Sequence, residues 1–237
     1  MDMKIFMAEF VGTCILIILG CGVVANVNLN KSGMKGAGPI QITLAWGLAV
    51  MLPAFVFGEA SGASFNPALT IALVADGSVS ASLLPTYLIA QFSGAFLGAV
   101  IVYELFKDQF DATEDPATKR GVFCTAPAIR NTGRNLLSEA VGTFILVFTI
   151  KGLGQVPELD AGVAKILVFG IIVSIGMSLG GLTGYAINPA RDFGPRLAHA
   201  VLPIKGKGDS DFAYGMVPII GPIIGGLAAV VIYGAIF

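Results

Sequence analysis

Two stretches of this chain carry an Asn-Pro-Ala tripeptide: SGASFNPALT, with Asn66, Pro67 and Ala68, and GYAINPARDFGP, with Asn188, Pro189 and Ala190. The second stretch adds Arg191 and Asp192, and Arg196 follows it, four positions after Asp192. An asparagine side-chain oxygen caps a helix, and a proline suits the first turn, where its missing N–H has no intrahelical partner. The asparagine NH2 group is then left to donate to a passing oxygen, and a guanidinium offers a rigid fork of further donors. Such groups bind neutral, oxygen-bearing molecules and do not make or break bonds. Neither H-E-x-x-H nor G-x-S-x-G occurs, and the single histidine, His199, offers little general-base chemistry. Cys14, Cys21 and Cys124 lack C-x-x-C spacing and read as small core hydrophobes. No catalytic residue, metal site or cofactor is expected.

The elements that position these groups must be membrane helices. Of 237 residues, 55% are hydrophobic and 12% charged, with mean hydropathy +0.84, whereas a soluble domain carries about 25% charge. A net charge of −1 leaves no basic excess to hold nucleic acid. Apolar runs long enough to cross the bilayer fall near 5–27, 39–58, 83–106, 135–150, 162–182 and 214–236. The first runs past Cys21 and is interrupted early by Glu9, so it reads as a retained span and not a cleaved leader. Two shorter pieces, one after Asn66 to Asp76-Gly77 and one after Asn188 to Pro203, read as half-helices, the second bent by Pro195. Arginine at bilayer depth costs about 2.5–3.5 kcal/mol on insertion scales, so Arg191 must face a wet cavity. Asp192 and Arg196, four apart, are expected to make a local ion pair, worth only about 0.3–0.5 kcal/mol if exposed.

The chain also repeats itself. AEFVGTCILI from Ala8 matches SEAVGTFILV from Ser138, 130 positions on, and GAFLGAVIVY from Gly94 matches IGGLAAVVIY from Ile224 at the same offset. Each copy holds three spans and one half-helix, so an odd number of crossings inverts the second copy. The expected architecture is one all-α membrane domain over 1–237: repeat 1 at 1–106, a connecting loop at 107–134 and repeat 2 at 135–237. In such proteins the site lies near the midplane, where broken helices meet. Two positive helix ends facing each other there repel cations and disfavour a protonated water chain. Glu9 and Glu139 occupy equivalent places; as intramembrane acids they are either proton carriers or acceptors for re-entrant loop N–H groups, and loop geometry favours the second role.

These residues resemble the major intrinsic proteins, the aquaporins and aquaglyceroporins, over nearly the whole chain. The resemblance implies an aquaporin-like fold of six transmembrane helices and two re-entrant half-helices around a pore in each subunit of a homotetramer, embedded in membrane lipid, with no reaction catalysed and no cofactor. It carries a selectivity filter onto Trp46, Gly176, Tyr185 and Arg191, with backbone carbonyls near Gly184 and Tyr185 binding solute hydroxyls. Two aromatic rings would form an apolar corner for a carbon chain, and Gly176 would leave room for a three-carbon solute. Asp192, Arg196, Pro218 and Ile219 resemble the glycerol-conducting branch, also called glycerol uptake facilitators. The implied function is passive passage of glycerol and other small uncharged solutes, with some water. A water-selective pore is the first alternative, disfavoured by Gly176, and an ion-coupled transporter the second.

Three features depart from that pattern. Ser64 stands where the family often has histidine, Tyr185 adds a hydroxyl at a phenylalanine position, and Glu59 and Glu104 have no assigned role. His199 is expected to be a packing or interfacial residue. The resemblance also places the protein in the plasma membrane with both termini cytoplasmic. That leaves Lys4, Lys151 and Lys165 inside against the other 11 of 14 basic residues outside, or 9 without Arg191 and Arg196. The positive-inside rule favours the reverse.

Overall fold

The computed structural model describes residues 2–237, and among them the regular structure is eleven α-helices and one 3₁₀ turn, Ala81–Leu83, with no strand. Six helices are long and apolar enough to cross a membrane: α1 (Met3–Asn28), α2 (Pro39–Ser61), α4 (Leu84–Leu105), α7 (Thr132–Leu153), α8 (Ala161–Thr183) and α11 (Val217–Ile236). Between them lie the half-helices α3 (Pro67–Ala75) and α9 (Pro189–Val201). The stretch expected as a plain loop at 107–134 contains α5 (Lys107–Ala112) and α6 (Pro116–Phe123), and α10 (Phe212–Gly215) precedes the last span.

Local chemistry explains the boundaries. Asp2 caps α1 by accepting from the backbone N–H groups of Lys4 and Ile5, and Asp160 caps α8 through Gly162 and Val163. The fourth span starts at Thr132, earlier than hydropathy suggests, because Asn131 caps the polar first turn by accepting from the Arg134 N–H at 3.1 Å. Hydropathy sees only the apolar middle of that helix. Helices α2 and α8 both stop at a glycine in the left-handed region, Gly62 at φ 81° and Gly184 at φ 78°.

Helix α1 packs on α2 and α4, while α7 packs on α8 and α11, and α2 against α8 joins the two sets. The tightest crossings bring backbones into contact. A Cβ on Gly94 would lie 2.3 Å from the Phe10 carbonyl oxygen, and one on Gly225 would lie 2.0 Å from that of Ala140. Phe10 and Ala140 keep the offset of 130, but the glycines do not. The match of GAFLGAVIVY to IGGLAAVVIY therefore slips by one residue at this crossing. Between the helices lie Ile17, Phe65, Phe123 and Ile175, all buried, whereas Leu48, Leu52 and Val56 of α2 and Ile166 and Met177 of α8 face outward. Apolar outward faces on helices of spanning length suit a hydrocarbon solvent.

Candidate functional site

The half-helices meet cap to cap. Asn66 Oδ1 accepts from the N–H groups of Ala68 (2.9 Å) and Leu69 (3.5 Å), and Asn188 Oδ1 accepts from those of Ala190 (3.0 Å) and Arg191 (3.2 Å). Each NH2 group then reaches across the junction. Asn66 Nδ2 donates to the Ile187 carbonyl and Asn188 Nδ2 to the Phe65 carbonyl, both at 2.8 Å. The expectation of two uncommitted amides needs correction: each has one hydrogen tied up in holding the opposite loop, and one remains. Pro67, Ala68, Pro189 and Ala190 are buried in the first turns of their helices and do not line the cavity.

The loops before the caps are held in an unusual backbone shape. Ala63 and Phe65 in the first, and Tyr185 and Ile187 in the second, have φ between 36° and 53°, which costs a non-glycine residue roughly 1–2 kcal/mol each. Two buried carboxylates offset that cost. Glu9 accepts from the N–H groups of Ser64 (3.0 Å) and Phe65 (2.7 Å), and also from Ser61 Oγ and Gln91 Nε2. Glu139 accepts from those of Ala186 (3.1 Å) and Ile187 (2.7 Å). A trans peptide sets each carbonyl opposite the next residue's N–H, so the carbonyls of Tyr185 and Ala186 point away from Glu139. Both residues line the cavity and Glu139 does not. Gly184, the other residue of the expected carbonyl pair, also lines the cavity, though no hydrogen bond to Glu139 fixes the Gly184–Tyr185 peptide.

The cavity measures about 350 Å³, with Leu16, Val50, Leu69, Leu146 and Ile172 among its apolar walls and Asn66, Asn188, Tyr185 and Arg191 among its polar ones. Arg191 sits with its guanidinium carbon 4.1 Å from the Trp46 ring centroid and donates from Nη1 to the Phe123 carbonyl at 3.2 Å. Stacking holds the arginine on the ring instead of across the lumen from it. Trp46 itself lies over Gly20, where a Cβ would come within 2.2 Å of the indole.

Gly176 requires a second correction, since it does not line the cavity. A Cβ there would lie 2.7 Å from Tyr185 Cζ and 2.6 Å from Thr43 Cγ2. Its missing side chain makes room for the tyrosine ring, and only through that ring for a solute. The Tyr185 hydroxyl is buried, with no hydrogen-bond partner among the described residues.

A third correction concerns Asp192 and Arg196, which are both 0% exposed. Arg196 donates from Nε and Nη2 to Asp192 (2.7 and 3.0 Å), from Nη2 to the Thr125 carbonyl, and from Nη1 to the carbonyls of Ser210 and Asp211. All five guanidinium hydrogens have an acceptor. Asp192 in turn accepts from the N–H (2.7 Å) and Oγ1 (2.6 Å) of Thr125. The pair is a buried clamp on the 123–125 segment whose Phe123 carbonyl holds Arg191. Breaking such a pair costs about 3–5 kcal/mol, far more than a surface pair.

The remaining residues fall outside the centre. Pro218 and Ile219 form the first turn of α11, away from the cavity. His199 is buried, with Nδ1 2.8 Å from Ser210 Oγ. Glu104 is exposed, while Glu59 lines the far mouth of the cavity together with Lys165. Sequence reasoning missed Lys165, Gln91, Phe123 and Thr125.

Six helices of spanning length, gathered around a cavity where two half-helices join at their caps, define a multi-pass integral membrane protein. The model of the family described as "Major intrinsic protein" matches residues 1–233. A probable glycerol uptake facilitator protein of Thermotoga maritima is 52% identical over 235 residues, covering 99% of this chain and all of that protein. The glycerol uptake facilitator protein of Bacillus subtilis is 49% identical, covering 99% of this chain and 85% of that one. Among solved structures, the aquaglyceroporin from Plasmodium falciparum superposes with a TM-score of 0.87 at 29% identity, over 98% of this chain and 95% of that one. The chain belongs to the major intrinsic protein family, and its fold is aquaporin-like.

Proposed function

We propose that this protein is a passive channel for glycerol and similar small uncharged solutes, with some water permeability and exclusion of protons and ions. One observation carries the reading: the same cavity is lined by aromatic rings and donors (Trp46, Tyr185, Arg191) and by two helix N-termini joined through Asn66 and Asn188. The rings offer an apolar face to a carbon chain, and the guanidinium and the carbonyls of Gly184, Tyr185 and Ala186 serve its hydroxyls. Gly176 enters as the residue that sets the tyrosine back. Glu9 and Glu139 support the loops, and Asp192 and Arg196 steady the filter arginine. The relatives named as glycerol uptake facilitators favour the same solute class.

The ion-coupled alternative is weakened because Glu9 and Glu139, committed to loop amides, do not line the conduit. Purified protein in liposomes tests the reading. Under an inward glycerol gradient we expect fast shrinkage followed by fast re-swelling that persists when ion gradients are collapsed. Shrinkage alone would favour a water-selective pore, and loss of uptake without an ion gradient would favour coupling.

The proposal extends to one channel unit over 1–237, with repeats at 1–106 and 135–237, seated in plasma-membrane lipid as a homotetramer with both termini cytoplasmic. Light scattering of the solubilised particle measures the subunit number. The positive-inside count favours the reverse orientation, so the sidedness of one loop has to be measured directly. A thiol at Glu158, between α7 and α8, should react with an impermeant maleimide only after cells are opened; labelling of intact cells would reverse the topology.

A further inference from the structure

A second chamber of about 350 Å³ lies behind the first re-entrant loop, between α3 and the start of α4. Its lining mixes hydroxyls, from the buried Ser64 and the exposed Ser80, with the apolar side chains of Leu73, Val79 and Leu83. No charged side chain lines it among the described residues. Gly62, Ser64 and Leu73 line both this chamber and the conduit, so these residues form the wall between them. Ser64 Oγ lies 2.7 Å from Thr70 Oγ1 and 3.2 Å from the Asn66 carbonyl. Its single hydrogen is therefore committed, and a lone pair remains to accept from a ligand. A larger residue at position 64 would thicken the wall; serine leaves it thin.

We propose that this chamber is a second binding site for a small neutral polyol, exchanging with the conduit mouth across Ser64. A carbon chain with hydroxyls along it matches a lining that mixes hydroxyls with apolar side chains. The lack of charge excludes ions as good occupants, since an unpaired ion loses its hydration on entry. The choice of ligand class rests on the polyol-channel reading above.

The three native cysteines are buried, which makes thiol protection a direct test. In Ser80→Cys the new thiol lines the chamber; in Glu158→Cys it lies exposed between α7 and α8, remote from it. If glycerol occupies the chamber, it slows maleimide labelling at position 80 saturably, by about fivefold at four times its Kd, because the free fraction falls as 1/(1 + [L]/Kd). Labelling at position 158 stays unchanged. Adding Leu83→Trp, at a side chain that touches the chamber but not the conduit, fills the space and abolishes the protection. Equal rates at position 80 with and without glycerol, equal slowing at both positions, or protection that survives Leu83→Trp would each overturn the site. Wild-type glycerol flux in liposomes is measured in parallel. Protection without flux counts against the channel reading alone, and flux without protection counts against the chamber alone.

Discussion

At Gly176 and Tyr185 a single missing methyl group controls a ring. Even Gly176→Ala would put a carbon 2.7 Å from Tyr185 Cζ, inside van der Waals contact, and the ring's easiest escape is toward the lumen. We expect Gly176→Ala to cut glycerol permeability about tenfold, equivalent to about 1.4 kcal/mol on the barrier, with a smaller loss for water. Stopped-flow light scattering on liposomes measures both, and equal losses would show that the ring does not move into the path. Tyr185→Phe removes a hydroxyl that is buried without a partner, and an unsatisfied buried group costs about 1–3 kcal/mol. That variant should keep its glycerol flux within about twofold and melt at a higher temperature in detergent. A fall in flux with no gain in stability would mean that the hydroxyl meets the solute.

At the scale of elements, half-helix α9 and the 123–125 segment act as one piece, locked by Arg196 and Asp192. Lysine in place of Arg196 keeps a charge but loses the planar fork, leaving Asp192 and three carbonyls short of donors. The expected destabilisation is about 3 kcal/mol, read as a drop in the thermal midpoint. Because Phe123 also holds Arg191, solute selectivity should broaden in the same variant. A stable Arg196→Lys protein with unaltered selectivity would show that the segment does not position the filter. The sequence marks the Asp–Arg spacing plainly. It says nothing of burial, because the acceptors come from positions 125, 210 and 211, distant in the chain.

Across the whole molecule, ion pairs fasten the two membrane faces. Lys151 bonds Asp76 at the end of α3, and Arg130 bonds Asp211 ahead of α10. Partial burial raises both carboxyl pKa values, but the hydrogen bonds from Lys151 and Ser78 to Asp76, and from Arg130 and Tyr214 to Asp211, outweigh it. The net shift in each case is downward. A carboxyl with a lowered folded pKa contributes stability that is present above its unfolded pKa, about 3.9, and lost as pH falls through the folded value. The thermal midpoint in detergent should therefore decline below about pH 4, and Asp76→Asn with Asp211→Asn should flatten that decline. An unchanged acid slope in the double variant would assign it to other carboxylates.

Length, hydropathy and the doubled Asn-Pro-Ala boxes were enough to set six spans, two half-helices and their inverted pairing, because span length and helix-start chemistry are local and one-dimensional. The same local rules marked Asn66, Asn188 and Arg191 as residues too polar for lipid. What the chain could not state in one dimension is which surfaces touch. The crossed asparagine bonds, the stacking of Arg191 on Trp46, the ring of Tyr185 over Gly176 and the five-fold satisfaction of Arg196 all join residues separated by more than a span or by a turn of packing. Steric fit and hydrogen-bond geometry act through space, so these features were decided only when the helices closed around one another.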